Sequence, residues 1–226
     1  MDALITFLQH WQTFLTQNGP DFAAALWVTI RISLVAIVCG MTLGFAAELG
    51  RRICPWLEKP VACYVEFFRG TPLLIQLYLL YYGGPRIGLV LDAEPAGMLG
   101  MSLYAAAYFC EIFRAGFESI PEGQREAAHC LGIRPWRRLW RIELPQMAQI
   151  VLPPAVNQII TLIKDSAVLS IITVAELTKT ATRIMNISFE IVMPLCLLAL
   201  LYWIISEAVA VVCNKAEARL TRHLTR

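Results

Sequence analysis

Apolar residues gather along the chain into five stretches, at residues 22–47, 61–82, 95–117, 150–177 and 191–213, separated by polar intervals. A spanning helix needs about 20 predominantly apolar residues, so the pattern predicts five transmembrane helices. An opening apolar segment, residues 4–15, is too short to span. It reads as a surface-lying helix with Trp11 among lipid headgroups, within an interfacial segment 1–20. No repeat or low-complexity linker divides the rest, so residues 21–214 form one membrane domain, followed by a basic tail at 215–226.

Charge placement gives an orientation. Arg51, Arg52 and Lys59 follow the first stretch, Arg125, Arg134, Arg137, Arg138 and Arg141 follow the third, and Lys215, Arg219, Arg222 and Arg226 follow the fifth. The alternate intervals hold only Arg86, Lys179 and Arg183. Basic residues concentrate on the cytoplasmic side, so the N-terminus is expected outside and the C-terminus inside. Composition agrees with a bilayer setting: 58% of the 226 residues are hydrophobic and 16% charged, against about 25% charged in soluble chains. The net charge of +2 gives no reason to expect nucleic acid.

Several chemistries lack their residues. Cys39, Cys54, Cys63, Cys110, Cys130, Cys196 and Cys213 form no C-x-x-C pair and read as small hydrophobes. His10, His129 and His223 build no H-E-x-x-H, so no metal site is expected. No Gly-Lys dipeptide occurs, and a P-loop requires one. No Lys or Arg precedes Arg31, so no cleavable signal peptide is expected.

Residues 118–147 are too polar for lipid and read as a helical hairpin. Ser119 can cap, with Pro121 in the first turn and Glu122 three residues after the serine. Gly132 supplies a left-handed stop, Pro135 restarts a helix, and Leu144-Pro145 ends it. With Trp136, Trp140 and its arginines the hairpin suits either a docking surface or a rest on headgroup phosphates.

Ionisable groups within a span are costly and point to function. Lys164 and Asp165 are adjacent, so their side chains diverge by about 100°. Asp165 and Ser166 are candidates to face a solute path, the alternative being an ion pair with another helix. Thr71 and Gln76 are polar candidates for the same path. Glu111 and Arg114, three apart, are expected to pair. Arg31 and Arg69 are expected to snorkel to the interfaces. Gly40-x-x-x-Gly44 permits close helix packing and is a weak pointer to a dimer seam.

Glu126-Ala127-Ala128, three residues, Gly132, nine residues, then Ile142-x-Leu144-Pro145 resembles the EAA coupling motif of permease subunits of ATP-binding-cassette importers. Phe68 to Leu77, Ala106-Ala107-Tyr108 and Lys164 to Leu169 are similar to polar amino-acid permeases. The resemblance implies a type I importer fold in a bacterial cytoplasmic membrane and a second permease chain as partner. It further implies ATPase subunits gripping the hairpin through Glu126, Ala127, Ala128, Gly132, Ile142, Leu144 and Pro145. An extracytoplasmic amino-acid-binding protein is implied too, with no cofactor on this chain and ATP and Mg²⁺ in its partner. An ion-coupled carrier or channel is the competing class, although such carriers are often built from repeats. A membrane enzyme is a third, without a nucleophile motif to support it.

Overall fold

The computed structural model describes the backbone of residues 2–222 and the side chains of residues 9–215. The described residues are all-helical. In chain order the helices are α1 (Asp2–Ile53), α2 (Glu58–Gly70), α3 (Leu73–Tyr78), α4 (Ala93–Glu118), α5 (Glu122–Cys130), α6 (Pro135–Arg138), α7 (Leu144–Asp165), α8 (Leu177–Ser188) and α9 (Val192–Arg222). Wide π-type turns occupy Leu79–Gly83 and Leu139–Glu143, and a 3-10 segment, Ser166–Ile172, follows α7.

Among the described residues four helical stretches are long and apolar enough to cross a membrane: Gln9–Ile53, Ala93–Glu118, Pro135–Ile172 and Val192–Lys215. The second expected stretch, 61–82, is a broken helix. A residue preceding proline is driven out of the helical region, and Thr71, before Pro72, is extended at φ −117°, ψ 145°. Its N–H and its hydroxyl both donate to the Phe67 carbonyl, at 3.1 and 2.7 Å, closing α2.

The opening segment shows the opposite deviation: it runs unbroken into the first span, through Pro20. Proline removes one intrahelical hydrogen bond, but buried anchors lie on both sides of it. Phe14, Phe22 and Ala25 pack with Leu177, Ala181 and Ile184 of α8 and Met193 and Leu197 of α9, and Trp11 packs against this cluster. The side chains of residues 4–8 and of the tail beyond Lys215 lie outside the described residues.

The chain divides into two compact units. One comprises Met1–Ala36, Leu73–Met101 and Leu162–Ala208. In it α3 and α8 pack against the 3-10 segment, and Arg31, expected at an interface, pairs with Glu94. The other comprises Ile37–Pro72, Ser102–Thr161 and Val209–Arg226. There the two glycines of the small-residue motif meet α4 of the same chain. A Cβ on Gly40 would stand 2.5 Å from the Ala105 Cβ, and one on Gly44 would stand 2.7 Å from the Ala106 carbonyl oxygen. The motif is therefore used within the chain, which corrects its reading as a dimer seam. Close approach of this kind gains van der Waals contact where lipid offers no hydrophobic drive.

Large apolar side chains remain exposed on the long helices, including Trp27, Leu34 and Val38 on α1 and Leu200, Trp203 and Ile204 on α9. Exposed apolar surface of this extent belongs against lipid or another chain.

Candidate functional site

The hairpin begins differently from its expected capping box. The Ser119 hydroxyl donates to the Gly116 carbonyl at 2.6 Å, satisfying an orphan acceptor at the end of α4. Pro121 takes the cap position of α5 with an extended backbone (φ −57°, ψ 134°) and no side-chain bond. Gly132 ends α5 as expected, at φ +67°. The Gly132 N–H donates to the His129 carbonyl at 2.9 Å and that of Ile133 to the Ala128 carbonyl at 3.0 Å, the paired bonds of a Schellman stop. Pro135 opens α6 at its first position.

The second arm does not end at Leu144-Pro145. It passes through the π turn Leu139–Glu143 into α7. A proline lacks the N–H that a regular helix would direct four residues back and crowds that carbonyl. A wide turn just upstream accommodates such a residue without ending the helix.

Glu143 ties the arms together. Its carboxylate is 3.5 Å from Arg125 Nε of α5 and 3.1 Å from Arg138 Nε of α6. It is buried, and Arg125 also donates to the Phe117 carbonyl at 2.6 Å. Gln146 donates to Gln124 at 2.5 Å across the same junction. Glu126 and Ala127 face outward from α5, Ala128 is buried, and Ile142, Leu144 and Pro145 are half-buried. The motif thus divides into an exposed pair and a structural remainder. Glu143 fell on an unspecified motif position, and its only sequence signal is a lone carboxylate among arginines.

The same unit holds a partly polar groove of about 420 Å³, lined by Arg69, Tyr108, Glu111, Asn157, Gln158 and Thr161 among others. Arg69 lies 3.7 Å from Glu111 and 5.6 Å from the centre of the Tyr108 ring, so it faces this groove. Glu111 accepts from Arg114 Nε at 2.9 Å, the expected pair, and Arg114 also meets Glu118. The groove-facing Asn157, Gln158 and Thr161 went unsuspected, although 157 and 161 share one face of an apolar helix.

Of the expected path residues, Thr71 lies in this unit and closes α2, while Gln76, Asp165 and Ser166 lie in the other. Gln76 is buried on α3, whose neighbour is the 3-10 segment that Ser166 opens. Asp165 is half-buried and Lys164 exposed. Ser166 is fully buried; its hydroxyl donates to the Ile163 carbonyl at 2.6 Å and lies 3.4 Å from the Tyr202 hydroxyl. Tyr202 donates to Glu176 at 3.0 Å, and the same carboxylate accepts the N–H groups of Thr178 and Lys179 at 2.8 and 2.7 Å. Glu176 is therefore the buried N-cap of α8. Its role too was missed, since the partners are 26 residues away or supplied by backbone.

Residues 12–221 match the family described as the binding-protein-dependent transport system inner membrane component. A probable amino-acid ABC transporter permease protein, YckA of Bacillus subtilis (strain 168), is 38% identical over 92% of this chain and 92% of its own. The L-cystine transport system permease protein TcyB of the same organism is 33% identical over 96% of this chain and 93% of its own. Among solved structures, an amino acid ABC transporter with histidines is 29% identical, with a TM-score of 0.83 over 91% of this chain and 96% of that one. The inward-facing MetNI methionine ABC transporter shares the fold at 18% identity, with a TM-score of 0.75 over 88% of this chain and 95% of that one.

Proposed function

The chain belongs to the family of inner membrane components of binding-protein-dependent transport systems, and from that premise we propose that it is a membrane subunit through which a separate ATPase drives amino-acid import. It is a transport subunit, as its relatives are permeases. The observation that carries the coupling is the hairpin itself: Glu143 locks its arms while Glu126 and Ala127 stay exposed. A rigid knob can transmit displacement to α4 and α7, the helices it joins.

In this reading the broken helix α2–α3 supplies a fifth crossing, with the N-terminus outside and the hairpin and C-terminus in the cytoplasm of a bacterial cell. The basic intervals support that orientation. A second permease chain, two ATPase subunits and an extracytoplasmic amino-acid-binding protein complete the assembly. ATP and Mg²⁺ belong to the ATPases, and this chain binds no cofactor. Thr71, Gln76, Asp165 and Ser166 are the candidates for the path, and in the unit that holds Thr71 the groove at Arg69, Glu111 and Asn157 is a further one. A guanidinium and a carboxylate lining one groove offer partners to the carboxylate and the ammonium of an amino acid.

The test is co-purification of the chain with its ATPase and binding protein, followed by amino-acid-stimulated ATP hydrolysis in vesicles. Glu126→Lys puts a positive charge where the docking face carries a negative one, and is expected to lower coupled hydrolysis about tenfold or more with no change in melting. Wild-type rates in that variant would overturn the docking assignment. Unchanged uptake by Asp165→Asn would remove Asp165 from the path.

A further inference from the structure

We propose that Phe117 is the joint through which the hairpin moves α1 and α4 as one lever, a positioning role in energy coupling that rests on the coupling reading above. Phe117 is the penultimate residue of α4 and is fully buried. Its backbone and its ring face different elements. The carbonyl is one of the acceptors that a helix end leaves without an intrahelical donor. Arg125 of α5 donates to it at 2.6 Å, and the same side chain lies 3.5 Å from Glu143. The ring receives the Arg52 guanidinium at 4.4 Å from its centre and stacks on Phe45 at 6.4 Å and 25°. Arg52 and Phe45 both belong to α1. Arg52 in turn donates through Nε, at 2.5 Å, to Glu48, a carboxylate with no exposed surface.

Two buried carboxylates, Glu143 of the hairpin and Glu48 of α1, are thus joined through one phenylalanine with an arginine on each side, all within one compact unit. A guanidinium on a carbonyl and a guanidinium over a ring are directional contacts, so a shift of α5 pulls on the carbonyl while the ring carries the shift to α1. Further along the same two helices the glycines leave no slack. A Cβ on Gly40 would meet the Ala105 Cβ at 2.5 Å, and one on Gly44 the Ala106 carbonyl oxygen at 2.7 Å. Close-packed interfaces of this kind move as units rather than deform. The hairpin is bonded directly to α4 and α7, whereas α1 is far from it along the chain. Phe117 is what adds α1 to the elements that the hairpin drives.

The experiment uses the full chain assembled with its ATPase and binding protein in vesicles. Spin labels on encoded non-canonical residues replace Ile53 and Glu122, both exposed, at the end of α1 and the start of α5. The distance between them should shift by less than about 2 Å between the nucleotide-free and ATP-bound states, while the same vesicles hydrolyse ATP and import amino acid. F117L keeps an apolar side chain but removes the ring face, and R52K keeps the charge but removes the flat guanidinium. Each should broaden the distance distribution and raise the ATP consumed per amino acid imported roughly threefold or more. R52K carries the test if F117L fails to fold. A label distance that changes with nucleotide in the unaltered chain overturns the proposal. So does a lower melting temperature with unchanged stoichiometry in the variants, which would make Phe117 a core side chain only. In either case normal uptake leaves the coupling reading standing. Absence of ATP-driven uptake by the unaltered assembly would instead sink that reading, and the joint with it.

Discussion

Glu176 and Glu143 are both buried carboxylates, one in each unit, but they are held by opposite means. Glu176 is satisfied by two backbone N–H groups and one phenol. Glu143 is ion-paired with two guanidiniums, and Glu48 is likewise held by Arg51 and Arg52 of its own helix, at 2.5 Å from the Nε of each. Neutral donors make a cap that fixes local geometry. Paired guanidiniums make a clamp that depends on the carboxylate's charge, and at Glu143 that clamp holds separate segments. Charge should therefore matter at Glu143 and shape at Glu176.

Glutamine substitution is the sharpest way to break this contrast. Glu143→Gln keeps the volume but leaves Arg125 and Arg138 repelling one another. It should cost about 2–3 kcal/mol, below the range for fully buried pairs because both arginines are about a third exposed. The loss should appear as a lower melting temperature of the purified chain and shrink as arginines are screened in high salt. Glu176→Ala comes next, at about 2 kcal/mol, from a lost N-cap and the loss of the Tyr202 hydroxyl's shortest hydrogen bond. Glu176→Gln retains one acceptor oxygen for the Thr178 N–H and the Tyr202 hydroxyl but turns its amide NH2 toward the Lys179 N–H, and should cost about 1.5 kcal/mol with no dependence on salt. If the two glutamine variants melt alike, the distinction between cap and clamp is wrong. The smallest effect belongs to Tyr202→Phe, about 1 kcal/mol from one hydrogen bond to Glu176, insensitive to salt.

Local chemistry was legible in the sequence. Gly132 as a left-handed stop, Pro135 as a helix start and the Glu111–Arg114 pair each depend on residues within four positions of one another, and each appears as expected. The break at Thr71-Pro72 was equally local, but a hydropathy window averages across it. The clamp at Glu143 was hidden because Arg125 is 18 residues away and meets it only once the hairpin folds. Tyr202 reaches Glu176 and Ser166 across still longer separations, and Gly44 reveals its role only against the Ala106 backbone. Ser119 misled because the same hydroxyl can close the preceding helix as readily as open the next one.

The wide turn at Leu139–Glu143 also sets a phase. One additional residue in a helical turn advances everything downstream by about 100° around the axis. Asn157 and Thr161 open onto their groove because of that offset, introduced more than a dozen residues upstream. Trimming one residue from the turn would leave every groove side chain chemically intact and aim the polar stripe elsewhere.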